Sequence, residues 1–476
     1  MASCDTGLLS DQRHHALMFP YPVQGHIQPF MRLSKLLATN YGFTISFFNS
    51  EENHRRLLAD RDEPASQEDR AEDAEGKPLD FRMLFLPDVL PSSTEVEQMS
   101  AGTHIEKSHV LLSKTFLNTD PAALETLIRS QSPPITCLIL DPLVTVIAPG
   151  LGEKLGITSL IFFPASAASL ATAIRSGEVD GDAKQMTRIV GAPVLDVKEV
   201  NPFLSICGRG HSDFMARLFT QPFRKKLIKA NDIILINTVE ELEESTLKHL
   251  QEENKVCAIG PVLPPWGAFA VPTLWSQDYS CLDWLDKQPA ASVLFVSFGS
   301  LATLSSTQLS DLALGLEASN QRILWVTRPD QIYGKAPDLP SDFLERIKDR
   351  ILVFSWVPQL HVLCHTSVGG FLSHCGWNST IESIAAGVPI LAWPFFGDQM
   401  LNAKCVVEKW RIGLALTGAG GAMSKAVVET RVKDLMEGDL SKELRNRAQN
   451  LKHIVVKALS HGGSSSSNLQ KLFGHL

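Results

Sequence analysis

Between Trp356 and Gln399 the chain reads WVPQLHVLCHTSVGGFLSHCGWNSTIESIAAGVPILAWPFFGDQ. Within it, Gly369–Ser373 is a short, unbroken apolar run, as a strand covered on both faces should be. The run ends in His374-Cys375-Gly376-Trp377, and a helix is expected to start at Asn378 or Ser379 and stop at Gly387. Asn and Ser are good N-cap residues, and glycine is a good stop. A strand, a tight turn and a helix start together present free N–H groups and a positive dipole end, which suits a phosphate. His374 adds a donor just before the turn. Glu382 follows Asn378 by four residues and shares its helix face, where a carboxylate can hold ribose hydroxyls. Asp398-Gln399 follows a further strand, Pro389–Trp393, and offers an acceptor and a donor to a polyol. A metal site competes for the same segment, since His361, Cys364, His365, His374 and Cys375 lie close together. The spacing argues against it: there is no CxxC knuckle, and no carboxylate stands between His361 and His365 as in HExxH.

The same alternation of strand and helix extends outward in both directions, the signature of α/β architecture with parallel sheets. Toward the N-terminus, strands are expected at His15–Tyr21, Phe43–Asn49, Phe81–Pro87, Thr136–Leu140, Ser159–Phe163, Ile233–Asn237 and Val256–Ile259. A helix over Gly25–Thr39 is closed by Gly42, and another fills Glu240–Leu250. Residues 260–280 carry Pro261, Pro264, Pro265 and Pro272 and read as the interdomain linker. Beyond it come strands at Ser292–Phe298, Ile323–Thr327 and Ile351–Ser355, with a helix at Thr307–Ala318. The acidic stretch 59–78 reads as a surface insertion with no assigned role.

Length and composition agree with two domains. The 476 residues are 44% apolar and 20% charged, and the net charge of −8 argues against nucleic acid or an anionic membrane as partner. Eight scattered cysteines without a CxxC suggest reduced thiols and a cytoplasmic protein. No secretory signal is visible, and the longest uncharged stretch, Leu155–Ile174, holds five Ser or Thr and Pro164, too polar for a spanning helix.

The 44 residues from Trp356 to Gln399 resemble the signature box of the plant secondary-product UDP-glycosyltransferases, family 1 glycosyltransferases, with its opening Trp, HCGWNS centre and closing DQ. FPYPVQGHIQP at 19–29, NHRRLL at 53–58, SFGS at 297–300 and GGSS at 462–465 extend the similarity over nearly the whole chain. The resemblance implies two facing Rossmann-like, doubly wound domains of GT-B type, with the active site in the cleft between them. An N-terminal acceptor-binding domain would span 1–260 and a C-terminal UDP-sugar-binding domain 281–455, with 456–476 packing back on the first. It further implies that Trp356 stacks on uracil, Gln359 bonds the nucleoside and Glu382 takes the ribose. His374, Asn378, Ser379 and Ser300 would hold the diphosphate, and Trp377, Asp398 and Gln399 the sugar. A closing Gln is associated with glucose donors.

In the N-terminal half, His26 follows the first strand and starts the first helix, at the carboxyl end of the sheet where ligands of doubly wound folds bind. A neutral imidazole can take a proton from a hydroxyl, and the resemblance makes this His the general base. Asp141 ends the strand Thr136–Leu140 and matches the paired carboxylate. Its competitor Asp120 reads instead as a helix N-cap, with Pro121 at the first helical position. The implied reaction is inverting displacement on a UDP-sugar, most simply UDP-glucose, with no metal and no further cofactor. The acceptor would be a small lipophilic hydroxylated molecule such as a flavonoid, another phenolic or a terpenoid, with a carboxylate or thiol as the alternative, held by loops following His26 and around 80–110 and 140–215 that include Phe162-Phe163, Phe203-Leu204 and Phe214. A monomer is expected. A nicotinamide dehydrogenase is disfavoured because GxGxxG is absent, and an α/β-hydrolase because GxSxG is absent. A non-catalytic UDP-sugar-binding protein would keep the box but lose the base.

Overall fold

The computed structural model describes residues 14–59, 80–86, 116, 118–176, 188–195, 232–263, 273–328, 342–417 and 423–474. Two parallel sheets organise them. The first has seven strands: β1 (His15–Phe19), β2 (Thr44–Ser50), β3 (Phe81–Leu86), β4 (Cys137–Leu140), β5 (Thr158–Phe163), β6 (Ile233–Ile236) and β7 (Lys255–Ala258). Their order is β3-β2-β1-β4-β5-β6-β7. The second has six: β8 (Val293–Ser297), β9 (Arg322–Val326), β10 (Ile351–Phe354), β11 (Val368–Ser373), β12 (Ile390–Ala392) and β13 (Gly413–Ala415), in the order β10-β9-β8-β11-β12-β13. Each sheet therefore runs outward from its first strand and then reverses, which leaves a crevice at the carboxyl ends of β1 and β4 and another at those of β8 and β11.

The expected strands are all present, most trimmed by a residue or so at an end. β13 has no counterpart in the sequence reading. It is only three residues long, too short for an apolar run to stand out. Residues 60–79 and the segments carrying Phe203, Leu204 and Phe214 lie outside the described residues. Asp120 does cap a helix: its side chain accepts from the Ala122 N–H, with Pro121 next in line.

The strands are buried because helices cover both faces. The first sheet packs Ile27, Phe30 and Leu37 of the Gln24–Tyr41 helix against Ile45, Phe47 and Phe162. Leu469 and Phe473 of the final helix, Ser464–Phe473, complete that same core, and Ser465 and Asn468 bond the carbonyls of Gly260 and Ala258. The second sheet buries Leu294, Trp325, Leu372 and Leu391 among helical leucines and valines. A third cluster joins the halves, with Val239 and Leu242 packed among Trp377, Ile381 and Val406. Among the described residues no helix is long and apolar enough to cross a membrane.

Candidate active site

The two crevices open into one cavity of about 340 Å³. Its first wall begins at β1. The helix after β1 starts at Gln24 with no side-chain cap, and His26 lies in its first turn. His26 Nδ1 is 2.6 Å from Asp141 Oδ2, which follows β4. Asp141 is fully buried, and its Oδ1 accepts the Leu143 N–H at 3.0 Å, so the carboxylate is held from both sides. A carboxylate only accepts, so His26 donates through Nδ1 and keeps its lone pair on Nε2. The Tyr21 ring meets the imidazole edge-on at 5.4 Å.

The opposite wall is built after β8 and β11. Here the sequence reading needs one correction. The helix starts at Trp377 with Gly376 as N-cap, not at Asn378 or Ser379, and no side chain caps it. Glycine leaves the first-turn N–H groups without a competing side-chain acceptor, the arrangement that suits an anion. His374 sits in a tight seat. A Cβ on Gly299 would come within 2.7 Å of its ring, and one on Gly376 within 2.5 Å of Nε2. Gly299 also has φ +69°, so glycine is required there twice over. Burial lowers the His374 pKa to about 4, against a weaker opposing pull from the Ser297 backbone, so the ring is neutral at pH 7. Cys375, beside it, takes φ 62°, unusual for a side-chain-bearing residue.

The remaining predicted residues gather around these walls. Ser300, Trp356, Gln359, Trp377, Asn378, Ser379, Asp398 and Gln399 all line the cavity. Gln399 Oε1 accepts the backbone N–H groups of Phe395 at 2.9 Å and Phe396 at 3.3 Å, leaving its amide donors for a ligand. Asp398 accepts from Asn402 at 2.9 Å, and burial raises its pKa. The Trp377 indole donates to the Asn237 carbonyl at 2.7 Å, bridging the halves. Asn378 Nδ2 donates to the Gly25 carbonyl at 2.8 Å, next to His26. That carbonyl is available because Pro29, four residues on, has no N–H to give it. Glu382 is the exception: it is buried and reaches the cavity wall through its hydrogen bond with the lining residue Gln359.

Three contributors escaped the sequence reading. Trp275, from the linker, packs against Trp356 with ring centroids 4.8 Å apart. The Arg328 guanidinium lies 4.5 Å from the Trp275 centroid, and its Nη2 donates to the Ser300 carbonyl at 2.8 Å. It thus ties the Trp356 platform to the SFGS turn. Arg32, a cation seven residues after Gly25 and on the same helix face, pairs with Glu382. A charged residue on an otherwise buried helix face was the available signal.

The histidines of the competing metal reading have other partners. His365 bonds Asp286 and Ser367, and His361 faces the Tyr279 ring. Among the described residues no three His, Cys, Asp or Glu side chains converge. Two DxD triplets, Asp60-Arg61-Asp62 and Asp180-Gly181-Asp182, lie outside the described residues.

Two doubly wound sheets sharing a cleft, a His–Asp pair on one wall and an uncapped helix start on the other define a two-domain group transferase of GT-B fold. Known proteins agree. The family described as UDP-glucoronosyl and UDP-glucosyl transferase matches residues 273–454. Linamarin synthase 1 of Manihot esculenta is 34% identical, over 97% of each chain. The 7-deoxyloganetin glucosyltransferase of Gardenia jasminoides is also 34% identical, again over 97% of each. Among solved structures, Phytolacca americana UGT2, complexed with UDP-2fluoro-glucose and pterostilbene, superposes with a TM-score of 0.75 at 28% identity, covering 98% of this chain and all of that one. The chain belongs to the plant UDP-glycosyltransferase family and is an enzyme that transfers a sugar from a UDP-sugar to a small-molecule acceptor.

Proposed function

We propose that the enzyme transfers glucose from UDP-glucose, with inversion and without a metal or further cofactor, to a hydroxyl of a small, largely apolar acceptor. The observation that carries this reading is the 2.6 Å His26–Asp141 pair, placed across one cavity from the uncapped Trp377–Ala386 helix. His26 Nε2 takes the hydroxyl proton as the acceptor oxygen bonds the anomeric carbon. The bond from that carbon to the phosphate oxygen breaks, its electron pair leaves with UDP, and attack from the opposite face inverts the centre. Asp141 stabilises the imidazolium that forms. Charge growing on the diphosphate meets the helix N–H groups, the neutral His374 donor, Asn378, Ser379 and the Ser300 turn, where stabilisation acts on the transition state.

Trp356, backed by Trp275, stacks on uracil, and Gln359 bonds the nucleoside. Glu382 holds the ribose, and Trp377, Asp398 and Gln399 hold the sugar. Tyr21, Leu143 and Phe163 give the acceptor side its apolar lining. Residues 1–260 serve the acceptor and 281–455 the donor, with 261–280 as linker. The enzyme acts as a monomer in this reading. The eight scattered cysteines, without a CxxC, suit a cytoplasmic protein.

The deciding measurement is UDP release from UDP-glucose in EDTA across a panel of phenolic, flavonoid and terpenoid alcohols. Acceptor-dependent release is expected. Release that vanishes in EDTA and returns with a divalent cation would overturn the metal-free scheme.

A further inference from the structure

The Gln24–Tyr41 helix brings His26 to the cavity, and less than two turns later it carries Arg32 across to the other half of the molecule. Arg32 Nη1 lies 2.7 Å from Glu382 Oε1, and the two side chains are only 7% and 2% exposed. The second carboxylate oxygen accepts from Gln359 Nε2 at 2.8 Å, and the same amide nitrogen reaches Ser379 Oγ at 3.0 Å. Gln359 and Ser379 line the cavity, and Glu382 is one hydrogen bond from that lining.

A carboxylate enclosed this fully is costly unless a cation neutralises it and hydrogen bonds fix it. A basic residue of the C-terminal half would suffice for that alone. Here the cation comes from the helix that bears His26. Each carboxylate oxygen can accept more than one hydrogen bond, so the ion pair leaves acceptor capacity on Glu382.

We infer that Arg32 is a positioning residue for the donor: paired across the cleft, it neutralises and orients Glu382 so that the carboxylate accepts the ribose hydroxyls of the nucleotide. The inference rests on the reading of Glu382 as the ribose-holding residue. It makes ribose recognition a property of both halves, because the carboxylate is set by one and its counter-ion by the other.

The test compares binding of UDP and 2′-deoxy-UDP to the full-length protein by calorimetry. The wild type is expected to prefer UDP by about tenfold or more, the size of one charge-assisted hydrogen bond. Glu382→Gln should bring that ratio toward one. Arg32→Met should do the same, Arg32→Lys should restore part of it, and the double variant should lose no more than either single one. If Arg32→Met does not fold, Arg32→Gln removes the charge while keeping length and hydrogen bonding. A wild-type ratio in Arg32→Met or Arg32→Gln, with both nucleotides weakened equally, would reduce Arg32 to a structural role and overturn the inference. A wild-type ratio in Glu382→Gln would instead remove the ribose reading, and the inference with it.

Discussion

The two sheets share one winding order, and their central crevices carry opposite electrostatics. After β4 stands Asp141, buried and hydrogen-bonded to an imidazole. After β11, the matching place in the second sheet, stands His374, its pKa lowered by burial and its ring seated between Gly299 and Gly376. One crevice pairs an acid with a base and so can move a proton. The other keeps its titratable group neutral beside an uncapped helix start, so it suits an anion. The fold supplies the crevice twice, and the residues at the strand ends decide the chemistry.

That contrast can be broken one wall at a time. His26→Ala should lower kcat by about 10³-fold, within the usual contribution of a general base, and leave UDP-glucose affinity nearly intact. Asp141→Asn should lower kcat too, by less, with a shifted pH–rate profile. Initial rates and calorimetry on the same preparations decide it, and full transfer in His26→Ala would remove that residue as base. On the other wall, Gly376→Ala keeps an allowed backbone but drives a methyl into His374 Nε2. Displacing the ring should cost about 10²-fold in kcat/KM for the donor, as misplacements of about an ångström do. Unaltered donor kinetics would show that His374 need not sit where it does.

The smallest effect concerns stability. The His374 pKa is lower in the folded protein than the ordinary imidazole value of 6.5, so between about pH 6.5 and about 4 the unfolded chain binds the extra proton. Stability should therefore be lost as the pH is lowered through that window. His15, whose pKa burial also lowers, acts in the same direction, so His374→Gln should flatten the fall only in part. Thermal midpoints at pH 7.5, 6.0 and 5.0 measure this, and an identical slope in His374→Gln would remove His374 as a contributor.

Much of this was legible in the sequence because it is local. Apolar runs gave the strands, and strand-end position with the family resemblance singled out His26 and Asp141. What was not legible is contact between distant segments. Asn378 and Gly25 meet across 353 residues, and nothing in either neighbourhood announces the other. Trp275 looked like linker, and only the folded chain lays it on Trp356. The helix starts a residue or two before the position that side-chain capping preferences favour, because glycine caps this turn with no side chain.

Pro29 gives one of these contacts a further meaning. An alanine there would restore a rung to the first helix and make that helix sturdier by itself. It would also reclaim the Gly25 carbonyl from Asn378, loosening the joint between the halves beside the imidazole. The enzyme thus accepts a flaw in one part to gain a fit between two, and a screen that rewarded helix stability alone would select against its alignment.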